Sequence, residues 1–182
     1  MTRVLLAAAM AAALGTPAAA QTDGPPNVVQ GHPTNAFLPG FPEEIDGLTR
    51  ASIQSKPQEG RIAATYHHPD DSRNVQVLLY RLYEGGIAGN VERAAAYMAD
   101  GDIPMTRATV RSPAGTGMEC MGTQVKDVTY ALCVAEVRGR ALNVQVGEVT
   151  GQEVTELDPA VVGGAHALAG EIVDSIAAAP EG

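Results

Sequence analysis

The strongest indication of the fold is Met118–Val149, MECMGTQVKDVTYALCVAEVRGRALNVQVGEV, which holds three successive strand signals with tight connections. The signals cover residues 118–125, 128–137 and 141–149. In the last of them Leu142, Val144 and Val146 alternate with polar residues or glycine, which is typical of a strand with one buried face. Because only two or three residues separate the segments, the stretch predicts an antiparallel meander.

Both cysteines lie in this meander. If its first hairpin turns at Lys126 and Asp127, residues whose numbers add to 253 face each other, and Cys120 and Cys133 form such a pair. In a two-residue hairpin this is a non-hydrogen-bonded pair with Cα atoms about 4.5 Å apart, at the close end of the range for a disulfide. A four-residue loop about the same centre would keep the pairing. The spacing therefore predicts a structural disulfide between Cys120 and Cys133.

The residues before the meander carry further strand signals. Alternating patterns predict strands over 48–55, 61–67, 74–83 and 107–111. The third of these has Val75 on one face and Leu78 on the other, and apolar residues on both faces favour a central strand. Asn90 is suited to cap a short helix from Val91 to about Ala99.

The chain carries the pattern of a longer helix towards its C-terminus. Asp158 is a suitable N-cap, Pro159 fits the first helical position, and His166 falls on the less apolar side, as a surface residue. Eight apolar residues recur at helical spacing: Val161, Val162, Ala165, Leu168, Ala169, Ile172, Val173 and Ile176. Together the patterns predict an α+β domain: an antiparallel sheet of about six to seven strands, with one short middle helix and a long C-terminal helix packed on one face.

Residues 1–20 have the features of a signal peptide. Arg3 precedes an apolar run, Val4–Leu14, and the alanines at 18–20 fit a cleavage site before Gln21. The run is shorter than the roughly 20 residues of a membrane span. Its alanine-rich composition resembles exported proteins of Gram-negative bacteria. We therefore expect a periplasmic or secreted protein with no transmembrane segment after cleavage.

The mature part of the chain divides into two regions. Residues 21–41 are rich in proline and glycine and predict an extended lead-in, whose last residues, Phe37–Pro42, are apolar enough to dock on the domain. Residues 42–180 are predicted to form a single α+β domain.

Composition excludes several functional classes. A net charge of −9 is unfavourable for nucleic-acid binding, because phosphate contacts need clustered lysine and arginine. Hydrophobic residues make up 45% of the chain, which excludes a disordered acidic tail. Neither G-x-G-x-x-G nor G-x-S-x-G occurs in the sequence. Accordingly, no catalytic residue and no cofactor is predicted.

One cluster has the residue types of a metal site. His67, His68, Asp70 and Asp71 lie within five residues, and all four side chains can bind a divalent cation. The alternative is a solvated β-turn with Pro69 at its corner, because neighbouring residues of a strand point to opposite faces.

The order of elements resembles the PsbP-like α+β fold. The run Phe41-Pro42-Glu43-Glu44-Ile45-Asp46-Gly47-Leu48 looks like the opening of such domains, and the likeness covers about residues 41–179. It is topological, so it implies a fold and transfers no functional residue.

Three functions are compatible with these observations. The first is a small, exported, non-enzymatic domain that binds a protein or a component of the cell envelope. The second is a periplasmic protein that binds a divalent metal at the 67–71 turn. The third is a hydrolase with residues scattered along the sequence, which a cleft with converging histidine, aspartate and serine or arginine side chains would favour. The most informative single observation is whether His67, Glu136 and Arg138 or Arg140 approach one another.

Overall fold

A computed structural model describes residues 27–98, 105–151 and 156–180 of the protein. The predicted signal peptide, residues 1–20, lies outside these ranges. The strands are β1 (Val28–Val29), β2 (His32–Pro33), β3 (Glu44–Ile45), β4 (Leu48–Lys56), β5 (Arg61–His67), β6 (Arg73–Arg81), β7 (Met105–Arg111), β8 (Gly117–Val125), β9 (Val128–Val137) and β10 (Arg140–Val149). The helices are α1 (Gly86–Met98) and α2 (Pro159–Ala177), with 3-10 helices at Thr34–Gly40 and Pro57–Glu59.

Eight of the strands form one antiparallel sheet in the order β3-β4-β5-β6-β10-β9-β8-β7, and β1 and β2 form a separate hairpin. The α+β class and the large antiparallel sheet are confirmed. The predicted number of six to seven strands was too low by one short element. That element is β3, whose two residues are too few to show an alternating pattern.

The predicted meander is confirmed as β8, β9 and β10. Val125 pairs with Val128 across a two-residue turn, and Cys120 faces Cys133. These cysteines form a disulfide with a Cα–Cα distance of 4.1 Å. The second hairpin turns at Arg138 and Gly139, which both have positive φ, the conformation that suits the twist of a two-residue hairpin.

The main core lies between the sheet and α2. The Asp158 side chain accepts a hydrogen bond from the backbone N–H of Ala160 at 2.8 Å, which confirms the N-cap. Seven of the eight predicted apolar residues of α2 are buried, and Val161 is half-buried. By length and composition alone α2 would also suit a membrane span, as the core helices of globular proteins often do. Here its apolar face packs on β9 and β10.

The two helices lie on opposite faces of the sheet, so the prediction that both pack on one face was wrong. Cys120 and Cys133 face α2, whereas their neighbours Met121 and Leu132 pack in a second, smaller core with Val91 of α1. Successive side chains of a strand point to opposite faces, which is why adjacent residues join different cores. The thin apolar stripe of α1 does not indicate which face of the sheet this helix covers.

Helix α1 begins at Gly86, four residues before the predicted cap at Asn90. The Asn90 side chain is buried inside the helix, where its Nδ2 donates to the Gly86 carbonyl at 2.6 Å. Its Oδ1 accepts from the Tyr80 hydroxyl at 3.0 Å. Asn90 therefore joins α1 to the sheet instead of capping the helix.

Residues 27–41 are folded, which differs from the extended lead-in predicted for 21–41. Phe37 and Phe41 are buried in the main core, as the apolar end of the segment suggested. Gly40 lies against α2, where a Cβ atom would come within 2.7 Å of the Ile176 Cα. The 3-10 helix therefore closes one end of the α2 core.

Candidate functional site

A solvent-open groove of about 500 Å³ lies between α1 and the end of the sheet formed by β7, β8 and β9. Its apolar wall includes Ile87 and Val91, which project from α1. Its polar wall carries the side chains of Glu92, Arg107, Thr109, Glu119 and Glu136. These residues come from four elements and are far apart in the sequence.

One ion pair closes the outer rim of the groove. The guanidinium of Arg107 binds the carboxylate of Glu92 through both Nη atoms, with Nη2 3.2 Å from Oε2. Both side chains are exposed. The hydrogen bond and the charge of Arg107 hold the pKa of Glu92 below its ordinary value. Since the two opposite charges of this pair cancel, the pair adds little net charge to the groove.

Two further carboxylates lie on the inner wall. Glu119 accepts hydrogen bonds from the Thr109 hydroxyl at 3.1 and 2.9 Å. Glu119 faces Val134, and Glu136 lies two residues further along β9, so both carboxylates are on the α1 face of the sheet. Among the described residues, no lysine or arginine forms an ion pair with Glu119 or Glu136. The inner wall is therefore negatively charged.

The groove borders an unpaired strand edge. Within the described part of the chain, β7 has β8 as its only neighbour in the sheet. The edge of such a strand presents backbone N–H and C=O groups that can pair with another chain. Arg107 and Thr109 lie on β7, so the strand edge and the acidic wall form one continuous surface.

The 67–71 cluster forms a turn organised by its own hydrogen bonds. Nδ1 of His68 lies 2.5 Å from Oδ1 of Asp70, and the same oxygen accepts from the Ser72 N–H at 2.9 Å. These hydrogen bonds, led by those from Ser72, hold the pKa of Asp70 below its ordinary value. Ligand atoms of three residues of this turn do not lie within 4.8 Å of one another. Metal binding by His67, His68, Asp70 and Asp71 stays a prediction.

The turn also brings a serine to His68, but without the arrangement of a catalytic triad. The Ser72 hydroxyl lies 3.4 Å from Nδ1 of His68, the same nitrogen that Asp70 contacts. A triad needs the serine and the carboxylate on different ring nitrogens. This contact therefore gives no support to a hydrolase.

His67, Glu136 and the two arginines, Arg138 and Arg140, do not meet in space. His67 is at the end of β5, next to Asn74, whereas Arg138 is in the hairpin at the other end of β10. Arg138 donates to the carbonyl groups of Ala177 and Ala179, and Arg140 lies on the opposite face of the sheet from Glu136. Glu136 is exposed near the end of its strand.

The groove was not predicted from the sequence, and His166 is less exposed than predicted. No local sequence pattern indicates the groove, because its charged residues are single positions on separate elements. His166 is half-buried, and one of its ring nitrogens lies within 4.8 Å of the sulfur atoms of Cys120 and Cys133. His166 lies one helical turn from Val162 and one from Gly170, which are both buried. This spacing indicates that His166 is partly buried as well.

No protein-family model matches the chain, and no curated protein matches it at a significant level. The resemblance to PsbP-like domains rests on the order of the elements and stays a prediction.

Proposed function

We propose that the protein is an exported, non-enzymatic binding domain that takes up an extended, basic segment of a partner protein. The single observation that carries this proposal is the acidic groove beside the edge of β7. In it, the backbone of the partner would pair with β7, and its lysine or arginine side chains would enter the groove.

Charge determines the kind of partner. The groove carries three carboxylates and one guanidinium, and Arg107 is already bound to Glu92. Glu119 and Glu136 therefore leave negative charge on the inner wall. A cationic side chain with an apolar stem fits this wall and Ile87 and Val91 opposite, because lysine and arginine bury their methylene groups while the charge stays hydrated.

The strand edge determines the conformation of the partner. An extended peptide that adds to a sheet gains affinity from main-chain hydrogen bonds, and pockets beside the edge select alternate side chains. The seven residues of β7 offer an edge long enough for several such hydrogen bonds.

Export is the second part of the proposal. The signal-peptide features of residues 1–20 support it, and the disulfide between Cys120 and Cys133 is consistent with an oxidising compartment. The acidic composition then favours solubility outside the cytoplasm.

The test is isothermal titration of the protein with a ten-residue peptide of alternating lysine and threonine. We expect binding that weakens as salt is raised, because the groove is open to solvent. The double substitution Glu119→Gln/Glu136→Gln should weaken binding about fivefold or more. Binding should also slow hydrogen exchange of β7 amides.

A matched control separates the groove from overall charge. The variant Glu44→Gln/Glu171→Gln removes the same charge from two exposed positions outside the groove, on β3 and α2. It should bind the peptide as the wild type does. Equal weakening in both variants, or equal binding of a glutamate–threonine peptide, would contradict a specific acidic groove.

A further inference from the structure

Two strands and a helix bring three metal-ligating side chains together beneath α2. The sulfur atoms of Cys120 on β8 and Cys133 on β9 and a ring nitrogen of His166 on α2 all lie within 4.8 Å of one another. Within the described part of the chain, no other three histidine, cysteine, aspartate or glutamate residues are this close. Both cysteines are buried, so the cluster belongs to the interior of the domain.

His166 also carries an unsatisfied ring nitrogen. Its Nε2 is buried and has no hydrogen-bond partner among the described residues. Buried polar atoms in native proteins are paired in the large majority of cases, and the exceptions call for an explanation. The neutral imidazole is the form of histidine that binds metals.

We propose that the reduced protein binds one zinc ion through Cys120, Cys133 and His166, and that the disulfide abolishes this site when the protein is oxidised. Two thiolates and one imidazole are a common zinc ligand set, with the fourth position open to water.

The chemistry needs a dithiol reductant. The dithiol transfers two electrons and two protons to the Cys120–Cys133 disulfide, so this S–S bond breaks and one forms in the reductant. Zinc binding then displaces the two thiol protons, which pass to solvent. His166 binds as the neutral imidazole and releases no proton.

The geometry is compatible with zinc. Bond lengths of about 2.3 Å to sulfur and 2.0–2.1 Å to nitrogen place the ligand atoms of a tetrahedral site roughly 3.5–3.8 Å apart. The three ligand atoms already lie within 4.8 Å of one another, and the two sulfur atoms separate towards this spacing once the S–S bond is broken.

The test is an anaerobic titration of the dithiol-reduced protein with Zn²⁺, followed by competition with a chromophoric chelator. Co²⁺ serves as a spectroscopic substitute that reports thiolate ligands. We expect one zinc per reduced chain and none per oxidised chain. The substitution His166→Ala should weaken zinc binding at least about 10–100-fold, because losing even a group that only orients a metal ligand has an effect of that size.

Two controls make the result decisive. The substitution His32→Ala, at a histidine on β2 outside both candidate metal sites, should leave zinc affinity unchanged, and Cys120→Ser/Cys133→Ser should abolish it. The His166→Ala variant keeps both thiols, so unspecific binding by cysteines would leave its affinity equal to that of the wild type and overturn the proposal. Loss of binding in His32→Ala would also overturn it, as would unfolding of the zinc-loaded reduced protein seen by circular dichroism.

Discussion

The guanidinium of Arg140 lies 5.5 Å from the centre of the Phe37 ring, in the interior of the protein. The arginine is fully buried and donates hydrogen bonds to the carbonyl groups of Gly60, Asn27 and His32. Burial, together with the charge of Arg81, lowers the pKa of Arg140 to about 10, so the side chain stays charged at neutral pH. This contact joins the N-terminal hairpin to the central sheet.

Loss of Arg140 should release the N-terminal segment. The substitution Arg140→Ala should lower the free energy of unfolding by about 3 kcal/mol, because it leaves a cavity and the buried carbonyl of Gly60 unpaired. Chemical denaturation measures the loss, and hydrogen exchange should show faster exchange over residues 27–41. Arg138→Ala is the control: Arg138 also lies over Phe37, at 5.4 Å, but is half-buried, and its loss should be smaller.

Gly40 contacts α2 and Gly163 lies within it. Substitution by alanine should change the stability of the protein in opposite directions at these two positions. At Gly40 a Cβ would lie 2.7 Å from the Ile176 Cα and 2.9 Å from the Ser175 carbonyl oxygen, so Gly40→Ala should cost about 1–3 kcal/mol. Gly163 lies in α2 with open space around its Cβ position, so Gly163→Ala should stabilise by up to about 1 kcal/mol. Thermal unfolding compares the two; changes of the same sign would contradict the packing described for Gly40.

The disulfide should add stability without being needed for the fold. Cys120→Ser/Cys133→Ser should lower the free energy of unfolding by about 2–3 kcal/mol, because the bridge closes a short loop in the unfolded chain. The far-UV spectrum should be retained, since the β8–β9 register is also fixed by the backbone. Titration of the denatured, non-reduced wild type should find no free thiol.

The Glu92–Arg107 pair should give the groove a measurable pH dependence. The pKa of Glu92 is lowered from 4.5, so the stabilisation by this pair is complete above pH 4.5 and is lost as the pH falls through the lowered pKa of the folded protein. Carboxyl NMR should show this low pKa in the wild type. In Arg107→Gln the pKa of Glu92 should return towards its ordinary value; an unchanged pKa would mean that another group holds it down.

Local sequence patterns predicted most of the secondary structure. The bounds of β5 and β9 match the predicted strands residue for residue, because alternation over seven to ten residues with a tight turn at the end leaves one register. The same turn geometry placed Cys120 opposite Cys133. The predicted start of α1 was less accurate. Asn90 is a residue type that suits a cap, whereas its contact with Tyr80 depends on the sheet.

The strands of the meander, the disulfide and the amphipathic α2 could be predicted from local sequence patterns, since each depends on residues close together in the chain. Three features became visible only in the folded protein: the sheet faces that the helices cover, the burial of Arg140 against Phe37, and the acidic groove. Each of these joins residues separated by tens of positions. The spacing of residues along the chain does not encode such contacts; they arise when the sheet aligns distant segments in space.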